Sequence, residues 1–217
     1  GRDRDSIWNG LQRKETYGTS GDRILLWFDL ISESSDIPMG GTAETAINPI
    51  FKVKAVGAFK QKPGCPDYSS TNITNEEIER ICKNECYNPS DERKIITRIE
   101  VIKVTPQAFK GEQVDGLISD PWKVFNCEPN QQGCEVEFSD EEFNSASRDA
   151  SYYVRAIQEA SPAVNAGSLR CTYDDEGNCL EVNICYGDKR TSKDDDCLVM
   201  SEERAWSSPI YLNYYNL

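Results

Sequence analysis

The chain of 217 residues carries 24 Lys and Arg against 37 Asp and Glu, a formal net charge of −13, and it contains no histidine. Without an imidazole, Ser-His-Asp and Cys-His catalysis, helical zinc-protease centres and Cys/His zinc fingers are excluded, so any acid or base would be a carboxylate, Lys, Tyr or Cys. The acidic surplus, with no basic run, argues against nucleic acid and anionic membrane surfaces as partners, and no segment has the length and apolarity of a membrane span.

An opening helix is predicted from Ile7, Trp8 and Leu11, which share one helical face, with Asp3 or Asp5 as its cap and Arg13 and Lys14 near its negative end. Residues 23–31 then read as a strand apolar on both faces. From Pro38 onward short strand signals alternate with turns. Phe51, Val53 and Ala55 alternate with Lys52 and Lys54, and Ile99 and Val101 lie in a β-branched run. Cys134, Val136 and Phe138 alternate with Glu135 and Glu137, and Tyr152, Val154 and Ala156 with Tyr153, Arg155 and Ile157. Residues 169–173 and 179–185 flank a polar turn containing Gly177, which predicts a hairpin, and residues 210–214 read as a last strand. One helix interrupts the pattern: Thr74-Asn75-Glu76-Glu77 is a capping box, and Ile78, Ile81 and Cys82 would form the inner face that follows.

This texture predicts a mainly β chain. Residues 32–217 would form an antiparallel, Ig-like β-sandwich with one or two short helices and long disulfide-stapled loops. Residues 1–31 would be a helix-and-strand remnant of a preceding α/β domain. The start at Gly1 rather than Met reads as the processed end of something larger.

Nine cysteines with no C-x-x-C pair predict a disulfide framework made in an oxidising compartment, periplasmic or extracellular. Cys82 and Cys86, one helical turn apart, would hold their Cβ atoms about 6 Å from each other, too far for a bridge needing roughly 3.5–4.5 Å. The expected pairs are Cys127–Cys134 around a polar turn, Cys185–Cys197, Cys171–Cys179, and Cys65 with Cys82 or Cys86, which leaves one thiol over. A four-cysteine zinc site from Cys171, Cys179, Cys185 and Cys197 would lack the close ligand pairs such sites use. Asp174, Asp175 and Asn178, or Asp194 and Asp196, offer oxygens to calcium, but neither loop has EF-hand spacing and a solvated turn is the simpler account of each. Tyr211, Tyr214 and Tyr215 are the aromatic candidates for a sugar platform. No catalytic residue and no cofactor site is assigned.

Two passages, taken together, carry a resemblance. One runs from Ser6-Ile7-Trp8-Asn9-Gly10-Leu11 to Gly21-Asp22-Arg23-Ile24; the other is Glu203-Arg204-Ala205-Trp206-Ser207-Ser208-Pro209-Ile210-Tyr211, with Tyr152-Tyr153-Val154-Arg155-Ala156 and Leu169-Arg170-Cys171-Thr172-Tyr173-Asp174 between them. The combination resembles the C-terminal region of a family of large bacterial proteins of unassigned function, related to the PHP (polymerase and histidinol phosphatase) metal-dependent hydrolases. The resemblance implies that the metal ligands, in motifs of the Asp-x-His-x-His type, lie upstream, and nothing in this chain matches them. It implies a non-catalytic accessory domain whose partner is the upstream catalytic domain of the same polypeptide, with Thr19, Ser20 and Gly21 near that domain's catalytic face. The alternative is a secreted module that binds a glycan or a calcium-dependent partner. Thiol titration of the oxidised, folded chain is expected to find far fewer than nine reactive thiols, and nine would refute the disulfide framework.

Overall fold

A computed structural model describes residues 1–82, 86–164, 171–182 and 197–215. Its helices are α1 (Arg4–Gln12), α2 (Asn75–Cys82) and α3 (Phe143–Ala146). Its strands are, in chain order, β1 (Tyr17–Thr19), β2 (Leu25–Leu30), β3 (Ile37–Pro38), β4 (Thr42–Thr45), β5 (Ile50–Val56), β6 (Phe59–Gln61), β7 (Pro89–Arg93), β8 (Ile96–Val104), β9 (Ile118–Asn126), β10 (Cys134–Ser139), β11 (Ala150–Val164), β12 (Cys171–Tyr173), β13 (Cys179–Val182), β14 (Leu198–Ser207) and β15 (Ile210–Tyr214). The chain is therefore mainly β, as its period-2 patterning predicts.

A seven-stranded sheet is built around β11, with β8 and then β9 on one side. On its other side β15 pairs with the first residues of β11 and β14 with the remainder; β4 and β1 complete the sheet. A second sheet has the order β10-β5-β2-β3. Every pair is antiparallel except β15 with β4, which run parallel. The inward residues of both sheets form one core. Phe51, Val53 and Ala55 of β5 are buried while Lys52 and Lys54 face solvent, and Tyr152, Val154 and Ala156 of β11 are buried opposite them. A register shift after Ile157 lets Ile157 and Gln158 be buried as well, the local effect of a bulge.

The boundary expected at residue 31 does not divide this core. Ile24, Leu26, Phe28 and Leu30 pack in the same cluster as Val154, Ala205 and Ile210, and β2 is hydrogen-bonded between β5 and β3. Its apolar face needs both sheets to cover it. Its other face is not fully buried, since Trp27 is 46% exposed. The helices also differ from expectation. The capping box forms, with Thr74 Oγ1 accepting from Glu77 N and the Glu77 carboxylate accepting from Thr74 N. Only Ile78 of the predicted inner face is shown buried; Ile81 is exposed.

Three bridges join pairs of described residues: Cys65–Cys86, Cys127–Cys134 and Cys171–Cys179. The choice left open for Cys65 falls on Cys86, because α2 ends at Cys82 and the chain then returns toward β7. Cys197 is itself disulfide-bonded, while Cys185 and the side chain of Cys82 lie outside the described residues, as do Asp194 and Asp196. Disulfides of this number place the folding of the chain in an oxidising compartment. Among the described residues no helix is long and apolar enough to cross a membrane.

A carboxylate sits inside the core. Asp140 is 1% exposed and accepts from Lys103 Nζ at 2.5 Å and from the Tyr152 hydroxyl at 2.5 Å. Burial pushes its carboxyl up, but the hydrogen bonds from Lys103 and Tyr152 outweigh this and hold it below the ordinary Asp value. Burial, then the Asp140 carboxylate, pushes the Tyr152 phenol up. Because Asp140 titrates lower in the folded than in the unfolded chain, its stabilisation is complete above about pH 4 and is lost as pH falls through the folded value. Asp140→Ala is expected to cost roughly 3–5 kcal/mol, by stranding a poorly solvated ammonium, and to flatten the acid limb of stability; urea melts from pH 2.5 to 7 measure both.

Candidate functional site

At one end of the sandwich the chain leaves β5, turns at Gly57-Ala58 into β6, and returns along β7. An open cleft of about 430 Å³ lies between this hairpin and the approach to β2. Its walls include Asp22, Arg23, Leu25, Phe59, Tyr87 and Arg93. The pairing of Phe59 with Arg93 across β6 and β7 puts the guanidinium 3.8 Å from the centre of the Phe59 ring. Arg93 Nη1 also donates to the Gly57 carbonyl at 2.7 Å, so the group is held from two directions. Arg23 lies 4.4 Å from the centre of the Tyr87 ring, and the Cys65–Cys86 bridge fixes the residue next to Tyr87. Stacking of this kind contributes about 0.5–2 kcal/mol and leaves the N–H edges of a guanidinium free to bind.

A buried polar network supports the cleft from behind. Gln158 is fully buried; its carbonyl oxygen accepts from Ala58 N at 2.9 Å and its amide donates to Asp22 Oδ2 at 2.6 Å. The same carboxylate oxygen accepts from Lys94 Nζ at 2.5 Å, and Lys94 donates to Ser161 Oγ at 2.9 Å. The Lys94–Ser161 pair has the composition of a nucleophile and its base, but Lys94 Nζ also donates to the Asp22 carboxylate, so it is engaged as a donor on both sides. The network therefore positions Asp22 and the turn at Gly57-Ala58. Gly57 is required there: a Cβ at this position would stand 1.9 Å from the backbone oxygen of Lys94.

The residues singled out from the sequence fall elsewhere. Asp174 uses both carboxylate oxygens within its own turn, accepting from the backbone N–H groups of Glu176 and Asn178 and from the Asn178 amide. These bonds hold its carboxyl below the ordinary Asp value, and they account for Asp174 and Asn178 as a turn. Among the described residues no group of three or more Cys, Asp or Glu is placed to hold a metal ion. Cys171 and Cys179 are joined to each other, which removes two of the four thiolates of the zinc alternative. Tyr211 is 5.4 Å from Lys14 Nζ, and Tyr214 packs edge-on against Phe143, so these tyrosines do not make one platform. Of the segment 19–21, Gly21 lines the cleft, while the Ser20 hydroxyl is bonded to the Glu203 carboxylate. The cleft itself had only one sequence signal, the Gly57-Ala58-Phe59 break after an alternating strand.

A second exposed surface is α1. Asp3 caps it by accepting from Ser6 N at 2.8 Å, and it ends at Arg13, whose N–H reaches Asn9 O. None of its residues is buried.

Compared with family models, with curated proteins and with solved structures, the chain matches none. Gly57→Ala is expected to destabilise the fold by at least about 1–3 kcal/mol, since the new methyl group meets fixed backbone, with the loss read from the midpoint of chemical unfolding.

Proposed function

We propose that this chain is a non-catalytic accessory module of an exported protein, periplasmic or extracellular, packed through α1 on the catalytic domain of the same polypeptide, a PHP-like metal-dependent hydrolase. The observation that carries the docking is the state of α1. Ile7, Trp8 and Leu11 lie on one face and are 57%, 61% and 54% exposed. A nine-residue helix is too short to be stable in water by propensity alone and draws its stability from packing an apolar face. Here that face has no cover among the described residues. Burying each of the three side chains would contribute about 1.5–3 kcal/mol. The covering surface is assigned to the preceding domain because α1 belongs to the passage that carries the resemblance to that family.

The chemistry of the interior supports a role without turnover. Asp140, Lys103 and Tyr152 satisfy one another within the core, and Lys94 is held by Asp22. Each of these groups has a structural partner in place of a substrate.

In the isolated chain Trp8→Glu is expected to change stability by no more than about 0.5 kcal/mol. In the longer polypeptide the same change should separate the two domains, and amide hydrogens of residues 4–12 should exchange far more slowly there than in the isolated chain. Equal exchange in both would overturn the docking. An upstream coding sequence without His-rich metal motifs would overturn the link to PHP-like hydrolases.

A further inference from the structure

The cleft inverts the charge of the molecule that carries it. The chain as a whole has a net charge of −13. Several other cations are paired with acids: Lys60 with Glu92, Lys94 with Asp22, Arg98 with Glu202, and Arg155 with Glu100 and Asp120. Arg23 and Arg93 are different. Among the described residues neither has a carboxylate within 4.0 Å, although acidic side chains outnumber basic ones in the sequence. Both are instead backed by aromatic rings at 4.4 Å and 3.8 Å, and Arg93 is further pinned by its bond to the Gly57 carbonyl. Of its five N–H donors that bond uses one.

Asp22 shares the cleft and sets what else a ligand must offer. Its Oδ2 is taken by Lys94 and Gln158. Oδ1 has no donor among the described residues, and Asp22 lines the same cleft as the two guanidiniums. The charged groups facing the space are thus Arg23, Arg93 and an Asp22 already compensated by Lys94. Glu203 lies beyond Gly21, its carboxylate engaged by Ser20. Two guanidinium forks match one oxyanion. A carboxylate acceptor next to them matches a hydroxyl on the same ligand. A volume of about 430 Å³ is at the lower end of small-molecule sites and takes one or two sugar rings.

We infer that this cleft binds an acidic saccharide unit, its carboxylate or sulfate held by Arg23 and Arg93 and a neighbouring hydroxyl held by Asp22. The site is independent of the docking face, since no residue of α1 lines it. The two ligand sources share one chemistry, an oxyanion on a polyol, and the experiment separates them.

The ¹⁵N-labelled chain is titrated at low ionic strength with glucuronate, glucose 6-sulfate, glucose and inorganic sulfate, and the Arg side-chain and Tyr87 backbone signals are followed. Saturable shifts with glucuronate or glucose 6-sulfate, at least tenfold tighter than with glucose and with inorganic sulfate, are expected; which of the two binds names the anion. Arg23→Ala should weaken binding at least tenfold with only a small fall in melting temperature, since Arg23 is exposed and the contact it gives up in the fold is the one with the Tyr87 ring. Arg93→Lys should also weaken it, because the ammonium keeps the charge but loses the fork and the stack. Inorganic sulfate binding as tightly as either sugar would overturn the saccharide assignment. Absence of saturable binding by both acidic sugars, or binding unaffected by Arg23→Ala, would overturn the site.

Discussion

Tyr152 stands on the central strand of one sheet, yet its ring lies 4.7 Å from Phe51 of the other and its hydroxyl donates to Asp140. The rings of Phe28, Phe51 and Phe138 stack across the smaller sheet and lead directly to this contact. A tyrosine placed there brings a polar tip into the middle of the core, and a buried hydroxyl requires a partner. The partner is a carboxylate, which in turn requires compensation, and Lys103 supplies it while lying 5.3 Å from the centre of the Trp122 ring. One aromatic choice at residue 152 thus dictates an acid at 140, a base at 103 and a ring at 122, on four different segments. This chain of requirements fixes how the two sheets sit on each other more specifically than apolar burial alone would.

The parts of this architecture visible in the sequence are those whose signal is local. β5, β10 and the first half of β11 alternate cleanly because one face of each meets the core and the other meets water. Cys127–Cys134 and Cys171–Cys179 close short turns and were readable from spacing. β14 and β9 are hidden by their outward residues. Glu202-Glu203-Arg204 shows no apolar alternation, yet Glu202 is held by a bidentate contact from Arg98 on β8, and Glu100, Arg155 and Asp120 continue the ladder across three strands. Charges that pair across a sheet carry no periodic mark along one strand. The placement of β2 failed for a related reason: an apolar run states that a strand is buried, not which sheet contains it. The polar support of the cleft was least legible, since Asp22 and Gln158 are brought together by the whole fold.

The missing histidine and the many cysteines acquire different meanings in the folded molecule. The interior ionisable groups are absorbed into structure, so the side chains left for recognition are those stacked at the surface. Arg23 and Arg93 are held by rings and not by acids, which keeps their charge available in an otherwise acidic molecule. The Cys65–Cys86 bridge lies at the same place and holds the Tyr87 segment against the hairpin, so a covalent link that stabilises the unfolded-to-folded balance also keeps one wall of the cleft in position.

The two sheets are open, and open sheets end in strands with unpaired backbone. β3 has two residues and β1 three, too short to template another chain. β9, which pairs only with β8 among the described residues, carries Asp120, Pro121 and Lys123. β10, bonded to β5 alone among them, alternates Glu135 and Glu137 on its solvent face. Brevity, a proline and like charges all oppose the approach of a second copy edge to edge. The long edges, β9 and β10, are thus the ones that carry a proline or charged side chains, while the short edges β1 and β3 offer little backbone on which another strand could extend.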